Sequence, residues 1–515
     1  MRYATPRALA VLTALAAFVF AAPAAAAPRP GADDLGDPLD PGGGNGGYDV
    51  RLYDLDLRYE TADPAQGFEG GETIVARATK SLSRFNLDFA GEGVSAVWVN
   101  GKRARFERVG QELVITPQRS LRDGEKFVVR IAGFSATPTE PSDDPLSVVF
   151  FTTPDGSATA PQPYYARMLY PSNDHPRDKA EFRFDFDVPA GTDAVANGVE
   201  VSHRTRGGRT HTTYVMRQPM ATQLTQLAVG DWDFIPQGRR RGVTLRDVTA
   251  PSLTDRLLEP LSLGPSQLDW LTARVGRYPF DIYGTFVVDA DIGFALETQT
   301  LSLFDIGWFD APQGVWDPTM VHELAHQWFG DDVALYEWSD LWLSEGHTSW
   351  YEFLYAEEKG QLEEDTTFWP DEQGYATLEE LMRAVYAHGD QWRHDFGPVA
   401  RPSSGDPADL FSFNVYHGGA LVLYALRQKI GSRAFQRVER AWVDRYGGKS
   451  ASTEDFISLA SKVSGRNLKR FLRDWLYGET TPRMPGHPDW TTDPVVEEPE
   501  AAVSALAATR GRPRP

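Results

Sequence analysis

Two histidines four residues apart, His322 and His326, bracket Glu323 in the segment His-Glu-Leu-Ala-His, and Glu345 follows after eighteen intervening positions. On a helix, residues i and i+4 share one face, so both imidazoles can reach a single metal ion. Glu345 adds a carboxylate of the kind zinc accepts beside histidine nitrogen. Three protein ligands leave one coordination position open, as catalytic zinc sites do, whereas a structural zinc is closed by four, usually with cysteine among them. This chain has no cysteine. Glu323 sits next to the ligands as a carboxylate able to take a proton from an activated water. The chemistry these residues can do is metal-assisted hydrolysis, with one Zn2+ per chain. With 10 His in 515 residues, composition alone produces such a pentapeptide in roughly one chain in a hundred.

A helix must carry the motif. Asp317 is read as its N-cap, Pro318 as its first helical position and Gly330 as its C-terminal stop. Further on, the apolar residues Ala420, Leu421, Leu423, Tyr424, Leu426 and Ile430 fall near helical spacing, and Ser452 and Thr453 followed by Glu454 and Asp455 open another helix. Upstream the period changes. Phe182, Phe184, Phe186 and Val188 alternate with Arg183, Asp185 and Asp187, the period of a half-buried strand. Asn100-Gly101 between short apolar runs predicts a tight hairpin. In the first strand the apolar parity switches between Leu52 and Leu55, which predicts a bulge or a break there.

These signals divide the chain into a signal peptide (1–26), a flexible Gly/Pro-rich linker (27–47), a β domain (48–240), a zinc-site domain dominated by helices (241–480) and a disordered tail (481–515). Arg2 and Arg7, the apolar run from Ala8 to Ala22 and the small residues up to Ala27 have the form of an export signal, too short to span a membrane. A secreted protein without a stable membrane anchor is expected. The formal net charge of −21 argues against a nucleic-acid partner. Gly448-Lys449-Ser450 is not a phosphate loop, because Val443 stands where that loop needs its first glycine.

Taken together, segments from about Tyr48 to Pro485 resemble the aminopeptidase N family of gluzincin metallopeptidases, which also includes leukotriene-type epoxide hydrolases. The strongest pieces are Val321–Gly330 and Trp342-Leu343-Ser344-Glu345-Gly346. The resemblance implies a multidomain α+β fold, with an all-β, saddle-like N-terminal domain followed by a thermolysin-like α/β catalytic domain. It implies zinc on His322, His326 and Glu345, with Glu323 as general base. Gly293–Thr298 is similar to the segment whose glutamate grips a free amino group, which implies that role for Glu297. Val415–Ala420 is similar to the segment whose tyrosine stabilises the oxyanion, implying that role for Tyr416. Gln162–Arg167 resembles the stretch that reaches over the site, which places Gln162 in the first subsite.

The expected substrates are peptides with a free N-terminus. A zinc endopeptidase, an epoxide hydrolase and a non-catalytic peptide-binding homologue are the alternatives. Leu296 and Thr298, Ser344 and His347 depart from the residues usual at those places. The likeness is to a short form without the large C-terminal helical domain of many relatives, for which a more open cleft is expected.

Overall fold

The computed structural model describes residue 1 and residues 27–139, 148–366, 373–403 and 407–496. The export segment read at residues 2–26 lies outside these, as does 497–515 of the tail. The fold is α+β. Its N-terminal part is a β unit around one eight-stranded sheet. The strands are β1 (Tyr48–Arg58), β2 (Phe68–Ala78), β3 (Glu92–Val99), β4 (Lys102–Arg103), β5 (Lys126–Ala136), β6 (Ala180–Pro189), β7 (Val199–Arg206) and β8 (Arg209–Met220). Their order is β7-β8-β6-β1-β2-β5-β3-β4, with only β6 and β1 parallel.

The alternation read in β6 is what the sheet uses: Phe182, Phe184, Phe186 and Val188 are buried, and the charged residues between them stay partly open to water. Each fully buried Phe contributes about 1.5–3 kcal/mol. The bulge read in β1 is present but lies one step earlier than expected, and Leu52 stays only half-buried. Register slips between Val50 and Leu52, which lets Val50, Tyr53, Leu55 and Leu57 all reach the core. Asn100 and Gly101 both take positive φ and join β3 to β4.

The second unit opens with a six-stranded mixed sheet in which β9 (Asp233–Arg240), β10 (Val243–Thr249), β11 (Thr285–Val288), β12 (Ala295–Leu296) and β13 (Ser302–Asp305) are ordered β9-β10-β11-β13-β12 and the short strand Ile282–Tyr283 also pairs with β10. The helices follow: α1 (Thr254–Leu261), α2 (Gly264–Arg274), α3 (Gln313–His326), α4 (Trp342–Lys359), α5 (Leu362–Asp365), α6 (Leu378–Phe396), α7 (Phe413–Ile430), α8 (Ser432–Tyr446), α9 (Thr453–Ser464) and α10 (Lys469–Tyr477). Ser452 and Asp455 cap α9 reciprocally, in keeping with the residues read there. Helices α4 and α7 meet at two glycines. A Cβ on Gly346 would stand 2.8 Å from the Gly419 Cα, so the two backbones touch.

Four expectations are corrected. The linker read at 27–47 is packed: Asp37, Asp40 and Asn45 are buried, and Arg29–Pro30 pairs with Leu82–Asp88. Its glycines serve close approach, since a Cβ on Gly43 would stand 1.7 Å from the Asp40 carboxylate and one on Gly44 2.8 Å from the His175 Cβ. The boundary read at 240 falls inside a hairpin, because β9 pairs with β10 and belongs to the second sheet. The tail read as disordered from 481 stays packed as far as Trp490, which is buried and stacked on Tyr424 at 5.9 Å. Helix α3 starts at Gln313, so Asp317 and Pro318 lie inside it. Asp317 caps nothing there; its carboxylate accepts from Gln267, Tyr355 and Gln361, which tie neighbouring elements to α3.

Candidate active site

Helix α3 is buried along nearly its whole length, including its polar residues His322, Glu323 and His326. Buried polar groups need partners. The Nδ1 of His322 lies 2.7 Å from Glu352 Oε2, and the Nδ1 of His326 lies 2.9 Å from Ser344 Oγ and 3.1 Å from the Phe329 carbonyl. Those contacts put the donated proton on Nδ1 and turn both Nε2 atoms toward one point. Glu345, in the first turn of α4, aims Oε2 at the same point, 3.4 Å from each Nε2.

These spacings suit zinc. Ligand atoms at about 2.0–2.2 Å from a tetrahedral ion stand about 3.3–3.6 Å apart. Glu345 Oε2 is buried and has no hydrogen-bond partner, as expected of an atom whose partner is a metal. Charge agrees with geometry. Burial by itself would raise Glu345, but His326 and His322 hold it down at about 2. Burial would lower His322, yet Glu352 and Glu345 raise it well above its ordinary value. The carboxylates thus create a field that draws positive charge to the three ligands.

Gly330 is needed for this arrangement. Its φ of +118° lies in the left-handed region, and a Cβ would meet Ser344 Oγ at 2.3 Å, in the way of the contact that orients His326. The stop read at Gly330 is therefore four residues beyond the last helical residue and performs a second task.

Glu323 is buried between the ligands and Glu297, with Oε2 unpartnered. Burial, reinforced by Glu297 and Glu345, raises it to about 8 against the pull of His326 and His322. A dication at the ligands favours its charged form. Glu297, at the end of edge strand β12, is also buried. Its carboxylate takes the Gln162 Nε2 amide at 2.6 Å, which joins the β unit to the second unit across the site. Burial raises Glu297 too, and His326 and Gln162 act in the opposite sense. Glu297, Glu323 and His326 bring ligand-type atoms within 4.8 Å of one another. Tyr416, in the first turn of α7, lies nearly parallel to His322 at 6.0 Å between ring centroids. All seven residues singled out from the sequence thus converge.

Glu352 was missed, although its position seven residues after Glu345 puts it two turns along the same face of α4. The departures have places as well. His347 is buried, stacked on Phe329 at 4.5 Å and 3.5 Å from Glu439 of α8, facing away from the ligands and into the helix packing.

Comparison with known proteins agrees with this site. Residues 312–475 match the model of the peptidase family M1 domain. The M1 zinc metallopeptidase of Deinococcus radiodurans superposes with a TM-score of 0.73 at 30% identity, over 87% of this chain and 99% of that one. A mutant of that enzyme has been solved with the substrate Tyr-Ser-Ala bound. Aminopeptidase N of Streptomyces lividans is 25% identical over 83% of this chain and 50% of its own length. Aminopeptidase M1-B of Oryza sativa subsp. japonica is 27% identical over 62% of this chain and 37% of its own. The chain thus spans about a third to a half of the curated relatives' length but nearly the whole of the solved one. A zinc-shaped triad between the end of α3 and the start of α4, backed by a likeness that runs through both units, settles the family: this chain is a member of the M1 zinc metallopeptidases.

Proposed function

We infer that the protein is an aminopeptidase, removing the N-terminal residue of peptides with zinc and a glutamate base. The observation that carries this reading is the place of Glu297. It is a buried acid held by one amide donor, within 4.8 Å of the metal-ligand and base atoms. A peptide's terminal nitrogen and its first carbonyl carbon are roughly 2.5 Å apart. An ammonium held on Glu297 therefore brings the first peptide bond, and no later one, to the metal ligands. An acylated terminus offers no charge and leaves the buried carboxylate unpaired.

Zinc, when bound, supplies Lewis-acid polarisation of the carbonyl and brings the pKa of water down toward about 7. The chain's residues do the rest. Glu323 takes the proton of the attacking water and returns it to the leaving amine nitrogen. The Tyr416 hydroxyl donates to the carbonyl oxygen as negative charge grows there. Gln162 fixes the rotamer of Glu297. The segments that bring Arg2, Arg7 and the apolar run of 8–22 to the N-terminus support export as part of this reading, and among the described residues no helix is long and apolar enough to cross a membrane.

The test is digestion of one peptide in free and N-acetylated forms by zinc-loaded protein, read by mass spectrometry, with Glu323→Gln as the blank. Stepwise shortening of the free form alone is expected. Internal cleavage of both forms would make the protein an endopeptidase and overturn the role given to Glu297. N-terminal sequencing of the secreted product tests export; a retained residue 1 speaks against it.

A further inference from the structure

We propose that residues 28–47 form a strap that positions both ends of the cleft, Asp37 acting on the zinc end and Asp40 on the amino-terminus end. The inference rests on the zinc site and subsite assigned above. Asp37 is buried between three segments. Its Oδ2 accepts the backbone N–H of Trp338 at 2.7 Å and the His175 Nε2–H at 3.1 Å, and its Oδ1 accepts the Leu39 N–H. The Arg177 N–H donates to His175 Nδ1, which fixes the His175 proton on Nε2. From Trp338 a run of backbone bonds leads to the third ligand: Leu341 N–H to the Trp338 carbonyl at 3.1 Å, then Glu345 N–H to the Leu341 carbonyl at 3.0 Å. Asp37 thereby closes the first turn of the structure on which Glu345 stands.

Asp40 does the equivalent for Gln162. It accepts from both terminal nitrogens of Arg167, at 2.8 and 3.4 Å, while Asp174 takes the Arg167 Nε at 2.9 Å. Arg167 lies over the Tyr164 ring, in the turn closed by the Tyr165 N–H on the Pro161 carbonyl, and Gln162 sits in that turn. Tyr164 in turn packs edge-on against Trp338. Without Asp40 the terminal nitrogens of Arg167 lose their carboxylate while its Nε stays on Asp174, so the guanidinium must reorient about that remaining contact. The two aspartates, three residues apart, therefore hold opposite walls of the site.

The test separates the two arms. Zinc release to a chelating dye is measured without substrate, and KM and kcat are measured on an amino-acid amide, for Asp37→Ala, Asp37→Asn and Asp40→Ala. Partners in direct contact with metal ligands change affinity about 10–100-fold; acting one step further out, Asp37→Ala should speed zinc release about threefold to tenfold. Asp37→Asn keeps an acceptor for Trp338 and should restore it. Asp40→Ala should raise KM about twofold to fivefold, leaving kcat and zinc release as they were. Where an alanine variant does not fold, Asp37→Ser, too short for the Trp338 amide, and Asp40→Asn, which lacks the charge, replace it with the same outcomes. Folded variants with wild-type zinc release and KM overturn the proposal, as does an equal change of both quantities in both variants. The zinc arm stands or falls without reference to any peptidase activity.

Discussion

The zinc end of the cleft comes from one short stretch of chain, and the amino-terminus end does not. His322, Glu323, His326, Glu345 and Glu352 lie on two consecutive helices, α3 and α4, whereas Gln162 and Glu297 meet at 2.6 Å across a sequence separation of 135. Their electrostatics differ too. At the zinc end histidines pull Glu345 down to about 2, and at the other end burial pushes Glu297 up. The first is a seat for a dication fixed by helical phase. The second, on the reading proposed above, is a seat for an ammonium, and it is formed where the two units meet.

The contrast breaks most sharply at Glu323, which stands between the two ends. Glu323→Gln should lower kcat by on the order of a hundredfold to ten-thousandfold and leave zinc content unchanged by metal analysis. Loss of zinc together with activity would mean that Glu323 belongs to the metal seat instead. Next in size is Glu297→Gln. It removes a charge-assisted contact worth about 2–3 kcal/mol, so the preference in kcat/KM for free over N-acetylated peptides should fall on the order of 30- to 150-fold. Zinc release should not change.

Within the zinc end the two histidines are held unequally, and this gives a smaller effect. His322 faces a carboxylate, while His326 faces a hydroxyl and a carbonyl. A charged acceptor orients imidazole more strongly than a neutral one. Glu352→Ala should weaken zinc binding about 10–100-fold. Ser344→Ala should cost about fivefold or less, since the Phe329 carbonyl still takes the His326 proton. Competition with a chelator of known affinity measures both. Equal losses would show that the two histidines are not distinguished by their partners.

Local spacing made the zinc end legible. An i, i+4 pair on a helix requires no tertiary information, and Glu352 was open to the same reasoning. The amino-terminus end was reached through likeness to a family, because nothing in the residues around Gln162 announces Glu297. What the sequence concealed was packing by residues whose composition reads as loose. Glycine marks freedom in a linker and close approach in a packed turn alike, and Gly43 and Gly44 do the latter against Asp40 and His175. In the tail, Met484 and Trp490 anchor a stretch whose average composition is that of a disordered chain. Pro318 misled for a related reason. Proline suits a helix start, but α3 carries it five residues further in, on a buried stretch of the helix.

An effect of the same small size as that of Ser344→Ala belongs to Gln162, and it sharpens the comparison because it can be read as a pH shift. On the proposed reading, Glu297 must be ionised to hold an ammonium. Burial raises it, and the Gln162 amide is among the groups that hold it down. Gln162→Ala removes a donor to the charged form, so Glu297 moves further up and the acid limb of kcat/KM moves to higher pH. Above that limb the cost is one hydrogen bond of about 1 kcal/mol, roughly fivefold in KM with kcat retained. Gln162→Glu should move the limb further in the same direction, since a second carboxylate beside Glu297 opposes its ionisation. A limb that stays in place in both variants, measured on an N-terminal amide substrate across the acid range, would mean that Glu297 does not set it. The docking of the two units would then shape the cleft without tuning its acid.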